Sequence, residues 1–378
     1  MERIARVATG SSALCLVAAG GRLVLALPAA CGAARVVIDL YQPQRWKGKG
    51  FKVLAKLIAA TGIARRRPGF AGLRGAAPLV TWLRAAAAGG SVGFLGCNPN
   101  HGPRCVLAGI DPVDGRRFIA KLGLDGSAAA VRREAAILQA LLGKVPGVIE
   151  PLGLEQAEPR DRTQSGERSG PGGAAAAGGC PEPDCDFDWA LLRLPHLGNE
   201  APKSMAEPGV RRLLDRWLGD GTRLLGESAW AAGLIQQAAV AGVPSGWHER
   251  MSGRRVRGAL VHGDFAVWNL RMVGNDLVAL DWEWGQENAV AGVDLAHGLR
   301  QECYMVRRMN PKQAVAWMLE QAASPAWSEY LAAAGWEAAH EDWLRLGLLH
   351  SHFHAHNHSA EMLAELGIHL GNPSGRRN

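Results

Sequence analysis

The sequence predicts an α+β protein in which a strand-rich half precedes a mainly helical one. Apolar runs of strand length, broken by Gly, Asn and Pro, occupy 91–122 and 148–198. Between them AAAVRREAAILQALL, 128–142, is rich in alanine and leucine and has helical periodicity. Farther on, VDLAHGLRQECYMVRRM, 293–309, is again helical. With 378 residues, 48% of them hydrophobic, the chain can bury two substantial cores, and its length sets a prior of two or three domains.

In chain order, SSALCLVAAGGRLVLALPAAC (11–31) is apolar but interrupted by Gly20, Gly21 and Arg22, so it reads as a hairpin turning at the glycines. A signal peptide is the competing reading, because Arg3 and Arg6 precede a short apolar run. No apolar stretch reaches membrane-spanning length. Between Tyr41 and Val80 stand nine Lys or Arg (Arg45, Lys47, Lys49, Lys52, Lys56, Arg65, Arg66, Arg67 and Arg74) and no Asp or Glu, which exceeds the net charge of +7 of the whole chain. FKVLAKLIAATGI puts Lys52 and Lys56 one helical turn apart. Residues 45–74 are thus a candidate for peripheral contact with an anionic membrane surface or an acidic glycan, against the plainer reading of a solvated face. A nucleic-acid partner is not expected, because the basic residues are not interleaved with stacking aromatics.

SVGFLGCNPNHGPRCVLAGI (91–110) gives two short strands around a Gly, Asn and Pro turn, and RFIAKL (117–122) a third, with Lys121 set in an apolar stretch. Glu134 follows thirteen residues later on the helix that Gly143 ends. VIEPLGLEQ and DWALLRLPHLG are two further strands, the second ending near Leu194, Pro195 and His196. Between them 157–186 is rich in Gly, Pro, Ala and charge with almost no aliphatic bulk, the composition of a mobile insertion.

The segment HGDFAVWNLRMVGNDLVALDWE, 262–283, carries the chemistry. Asn275 is the expected turn centre, flanked by strands Leu270 to Val273 and Leu277 to Leu280. Asn269 lies six residues before that centre and Asp281 six after, so the hairpin brings both to its open end, and Asp264 precedes the first strand on a loop overlooking the same point. Two oxygen ligands with a carboxylate beside them suit a hard cation. His262, Gly263, Asp264 and Asn269 match the pattern HGDxxxxN, and Asp281 with Trp282 and Glu283 falls where kinases carry a second metal-binding aspartate. On these residues the chain resembles the aminoglycoside phosphotransferase and choline kinase group of the protein-kinase-like superfamily.

The resemblance covers residues from about 90 to 360. It implies a bilobal protein-kinase-like fold: a small, mostly antiparallel β lobe with one helix at 89–196 and a larger, mainly helical lobe at 197–378. Residues 1–88, a hairpin, strand and helices with the basic run, lie outside it as an extra N-terminal region. It implies ATP and Mg2+ as cofactors, with Asn269 and Asp281 on the metal and Lys121 on the phosphates, paired with Glu134. A hairpin bearing Gly93, Gly96 and Gly102 would cover the phosphates, and the strand through Leu194 and His196 would run into the hinge that meets adenine. Asp264 would orient the acceptor hydroxyl and take its proton. Glu283 is either a metal or substrate contact or a solvated carboxylate.

The acceptor expected is a small molecule: a sugar, amino sugar or amino alcohol. Asp294 follows Asp281 by only thirteen residues, which leaves no platform for a peptide. Ala266 stands where protein kinases that modify serine place a cation, and Gly263 replaces their arginine. The rival readings are a non-catalytic nucleotide-binding or scaffolding module and a protein kinase. Asp294 reads as a helix N-cap. Seven scattered cysteines show neither a zinc spacing nor a disulfide framework, and free thiols together with ATP dependence point to the cytoplasm. In LLHSHFHAHNHSAEM, His350, His354 and His358 share a face if helical, able to hold a transition metal or to line an acceptor pocket as part of a polar helix. The thirteen tryptophans are expected in cores.

Overall fold

The computed structural model describes residues 14–17, 23–27, 31–40, 50, 52–57, 92–95, 104–111, 113–156, 188–198, 200–353 and 359–370. The chain divides into two compact units, one of residues 1–135 and 151–196 and the other of 136–150 and 197–378.

The first unit is built on a seven-stranded antiparallel sheet. Its strands are β1 (Leu14–Val17), β2 (Leu23–Leu27), β3 (Val92–Leu95), β4 (Arg104–Ile110), β5 (Arg117–Leu124), β6 (Gly153–Gln156) and β7 (Trp189–Pro195), in the order β1-β2-β3-β4-β5-β7-β6. The expected N-terminal hairpin is present as β1 and β2, and β2 pairs with β3, so the region before residue 88 extends the same sheet. Helix α1 (Cys31–Leu40) presents Val36, Val37 and Ile38 to Leu27 and Ala108, which closes an apolar core on one face. The helical stretch at 52–57 follows the expected pattern, but its two lysines are engaged: Lys56 Nζ lies 3.0 Å from Asp39 Oδ1 and Lys52 Nζ donates to the Asp39 carbonyl at 3.3 Å. The remaining basic residues of 45–74 and the insertion at 157–186 fall outside the described residues.

Helix α2 (Ala128–Leu141) leaves β5 through a tight turn. The Leu124 N–H donates to Ser127 Oγ at 2.9 Å, and that hydroxyl donates back to the Leu124 carbonyl at 2.8 Å. A side chain at Gly123 would sit 2.5 Å from the Ser127 carbonyl, so the absence of a Cβ lets strand and helix meet this closely. Arg132 of α2 then holds Asp188 and Gln156 and fixes the helix over β6 and β7.

The second unit holds a three-stranded sheet, β8 (Leu218–Leu224), β9 (Arg255–Val261) and β12 (Gln286–Val290), in the order β12-β9-β8, and the hairpin β10 (Leu270–Val273) and β11 (Asp276–Ala279). Its helices are α3 (Pro208–Arg216), α4 (Ala229–Val240), α5 (Ser245–Ser252), α6 (Val293–Gln301), α7 (Pro311–Ala323), α8 (Ser328–Ala334), α9 (His340–Phe353) and α10 (Ser359–Glu365). A strand-rich unit and a mainly helical one make the α+β class. Residues 293–309 are not one regular helix, since α6 passes into a π-helical turn at Glu302–Arg307 and ends at Arg308 with φ +59°.

The start of α6 is tied by three side chains. Gly292, with φ +93°, is the cap; its N–H donates to Tyr330 Oη at 3.2 Å, and its carbonyl accepts from Trp343 Nε1 at 2.8 Å. Trp336 Nε1 donates to the neighbouring Ala291 carbonyl at 2.8 Å. Trp336 and Trp343 are thus buried packing residues whose polar edges tie down one turn.

Asp294 is not the N-cap that its position in the sequence predicts. It lies one residue inside α6, fully buried, and its carboxylate accepts from the backbone N–H of His262 at 2.6 Å and of Gly263 at 3.0 Å. The local cap pattern lost to a distant pair of donors that no other group satisfies so directly. Burial pushes this carboxyl up to about 7, against the opposing pull of its two N–H donors.

Gly292→Ala should lower stability by roughly 2–4 kcal/mol in chemical denaturation, because a Cβ there meets Trp343 Nε1 at 2.8 Å in a left-handed backbone. Between pH 4 and about 7 Asp294 stays protonated when folded and ionises when unfolded, so its contribution to stability falls as pH rises through that window. Asp294→Asn should remove this slope while costing about 1–3 kcal/mol, because the carboxylic acid keeps an oxygen toward each N–H whereas the amide turns its NH2 toward one of them. Unfolding both proteins at several pH values measures it: the advantage of wild type should be largest near pH 4 and smallest above about 7.

Candidate functional site

The loop between β9 and β10 is shaped from below by aromatic packing and from behind by backbone crowding. His262 is buried against Trp282, with ring centroids 4.7 Å apart, and Trp282 and Phe265 both pack edgewise on Trp217. His262 Nε2 lies 2.7 Å from the Leu280 carbonyl, which ties the loop to the end of β11. At Gly263 φ is +83°, and a Cβ would meet the Trp284 backbone oxygen at 2.7 Å, so only glycine lets the two segments approach. The loop therefore turns sharply and presents Asp264, whose side chain is 25% exposed.

Asp264 is held on both sides. Asn269 Nδ2 donates to the Asp264 carbonyl at 2.8 Å and to its Oδ2 at 3.1 Å. His297 Nε2 lies 3.0 Å from Oδ1. With its amide nitrogen turned to Asp264, Asn269 keeps its oxygen for another partner. Arg300, buried on the same helix, also feels Asp264: burial lowers its pKa to about 10 against the opposing pull of the Asp264 charge.

The hairpin carries a correction. Leu270 pairs with Ala279 and Val273 with Asp276, so the turn centre lies between Gly274 and Asn275 rather than on Asn275. Asn269 is consequently opposite Leu280, whose N–H donates to the Asn269 carbonyl at 2.7 Å. Asp281 is the next residue, and its φ of +70° breaks the strand direction there. Asp264 and Asn269 are in direct contact, and Asp281 leaves the ladder one residue past the partner of Asn269. Glu283 is buried. Among the described residues no three His, Cys, Asp or Glu side chains group as a metal cage. An Asn oxygen with one carboxylate, completed by phosphate oxygens and water, is the donor set that magnesium takes rather than such a cage.

In the first unit Lys121 lies on β5 between Val106 and Leu192. Its Nζ is 2.6 and 2.7 Å from the two Glu134 oxygens, with Glu134 nearly sequestered on the inner face of α2. A lysine gripped by both carboxylate oxygens is held in one rotamer. Leu194 is buried and pairs with Ile119, while the His196 N–H donates to the Arg117 carbonyl at 3.2 Å. Gly93 is in β3; Gly96 and Gly102 lie outside the described residues, as do His354, His356 and His358. His350 is buried and His352 partly so, and burial lowers the His352 pKa. Cys105 and Cys303 are buried.

His297 is the residue that sequence reasoning missed. Its signal was spacing: Asp294, His297 and Gln301 share one face of α6, and the face that reaches the 262–263 backbone reaches Asp264 as well.

No family model and no curated protein matches the chain. Among solved structures it is similar to a thermostable mutant of aminoglycoside phosphotransferase APH(4)-Ia in its apo form, at 11% identity and a TM-score of 0.38, covering 72% of this chain and 90% of that one. It is similar also to aminoglycoside-3'-phosphotransferase of type VIII, at 17% identity and TM-score 0.35 over 66% and 88% of the two chains. A third is glucosamine kinase in complex with glucosamine, ADP and inorganic phosphate, at 14% identity and TM-score 0.30 over 71% and 80%. In structure the chain is thus similar to aminoglycoside phosphotransferases and glucosamine kinase, with overlap loose enough that function must be argued from its own side chains.

Proposed function

We propose that this protein is an ATP-dependent phosphotransferase that moves the γ-phosphate to a hydroxyl of a small molecule, a sugar, amino sugar or amino alcohol. The observation that carries the reading is the fixed contact of Asp264 with Asn269 at the open end of the β10–β11 hairpin, where a partly exposed carboxylate sits beside a hard oxygen donor. The paired Lys121 of the first unit supports it independently.

Asn269 and Asp281 are the residues that would hold magnesium, and Lys121 the one that would meet the phosphates. Bound Mg-ATP supplies the phosphoryl group and neutralises its charge. Asp264 accepts the proton of the acceptor hydroxyl as that oxygen bonds to phosphorus and the bond to ADP breaks. Each carboxylate oxygen accepts about two hydrogen bonds, and the Asp264 side chain is 25% exposed. Glu134 prevents Lys121 from collapsing onto other acceptors. A small acceptor is favoured over a peptide because the residues between Asp281 and α6 are taken up by a turn and β12, which pairs with β9.

The test is a screen of small hydroxylated compounds with the purified protein and Mg-ATP, reading phosphorylated product by mass; transfer to none of them, with transfer to added polypeptides, would overturn the reading. Asp264→Asn should reduce kcat at least about a hundredfold while Mg-ATP binding, measured by calorimetry, is largely kept. Retained turnover would remove Asp264 from its role. Asp281→Asn should weaken nucleotide binding in the presence of magnesium and leave the metal-free affinity little changed, as read by titration with and without the metal.

A further inference from the structure

We propose that His297, itself oriented by Ser351, is a positioning residue that fixes the carboxylate plane of Asp264; the proposal deepens the phosphotransfer reading and its catalytic part rests on it. His297 is fully buried in the middle of α6, yet both ring nitrogens are engaged. Nδ1 lies 3.2 Å from Oγ of Ser351, which is fully buried on α9, and Nε2 lies 3.0 Å from Asp264 Oδ1. The Ser351 hydroxyl can donate to Nδ1, which leaves the proton on Nε2, where it faces the carboxylate. The Gln301 amide lies 3.2 Å from the same ring nitrogen, but a charged acceptor takes the stronger hydrogen bond.

The result is a three-member line, Ser351 to His297 to Asp264, running from the packed interior to a group 25% exposed. Asn269 holds only one of the two carboxylate oxygens, and that single contact does not by itself fix rotation about the Cβ–Cγ bond. With Oδ1 held by His297 and Oδ2 by Asn269, that rotation is stopped. The exposed side of the carboxylate then keeps one orientation. A proton acceptor gains from this because transfer falls steeply with misalignment. The carboxylate also draws both donors from rigid elements, α6 and the base of a hairpin, rather than from mobile loops.

Two readouts on the full chain test this. In enzyme assays His297→Leu should lower kcat about 10- to 100-fold with the KM for ATP and for the acceptor within about threefold, and His297→Gln, whose amide N–H can stand near Nε2, should restore most of it. A rise in KM at unchanged kcat, or equal loss in both variants with intact folding, would overturn the proposal. The second readout needs no turnover. In 15N-labelled imidazole spectra, assigned by the signal missing in His297→Gln, His297 should show protonated Nε2 and unprotonated Nδ1, and Asp264→Ala should shift the Nε2 resonance. An unshifted resonance means that no such hydrogen bond exists and sinks the proposal whatever the assays give. If the spectra behave as expected while wild type transfers no phosphate to any hydroxyl, the geometry stands and the phosphotransfer reading is what has failed.

Discussion

Two adjacent backbone N–H groups, those of His262 and Gly263, need an acceptor inside the fold, and Asp294 is that acceptor. The arrangement of the second unit around its site depends on this convergence. The donors lie where Gly263 takes a positive φ against the Trp284 backbone, a conformation that would leave them orphaned without a partner reaching up from below. Because the acceptor is on α6, the helix is pinned to the loop at one point. Everything one turn farther along that face is then aimed at Asp264, and His297 occupies that position.

The arrangement separates two carboxylates by environment. Asp294 is fully enclosed, and burial, with the nearby Asp264 charge adding to it, makes it reluctant to ionise. Asp264 is partly exposed and held by an amide and an imidazole, both outside the backbone. The same residue type is thus enclosed at one position and partly exposed at the other, a difference that environment rather than residue type imposes. In the first unit the same logic appears in a simpler form: Glu134 is buried at the cost of its hydration, and Lys121 offsets that cost while remaining the more exposed partner.

What could be read from the sequence was what local pattern encodes. The strands around Lys121, the helix carrying Glu134 and the hairpin after Asn269 follow from periodicity and turn residues, and their extents agree closely with β5, α2 and β10–β11. The turn centre was displaced by half a residue, enough to put Leu280 instead of Asp281 opposite Asn269, because Gly274 and Asn275 share the turn equally. Asp294 was misread since cap preference is a statement about neighbours, whereas its partners lie 31 and 32 residues away. For His297 the spacing from Asp294 names the face but not the partners, which are Asp264, 33 residues upstream, and Ser351, 54 downstream. The pairing of β2 with β3, likewise, joins segments that no short window sees together.

The pairing of β6 with β7 bears on how this sequence tolerates change. Gln156 stands directly across from Ala190, and Arg132 reaches both Gln156 and Asp188, so the chain leaves the sheet and re-enters it at adjacent, clamped positions. The ends of the excursion are therefore brought together by the sheet itself. Closure entropy grows only with the logarithm of the number of residues spanned, about 0.6 kcal/mol per doubling. A change in the number of residues between Gln156 and Asp188 should therefore cost little closure entropy and leave the ladder that seats Lys121 in place.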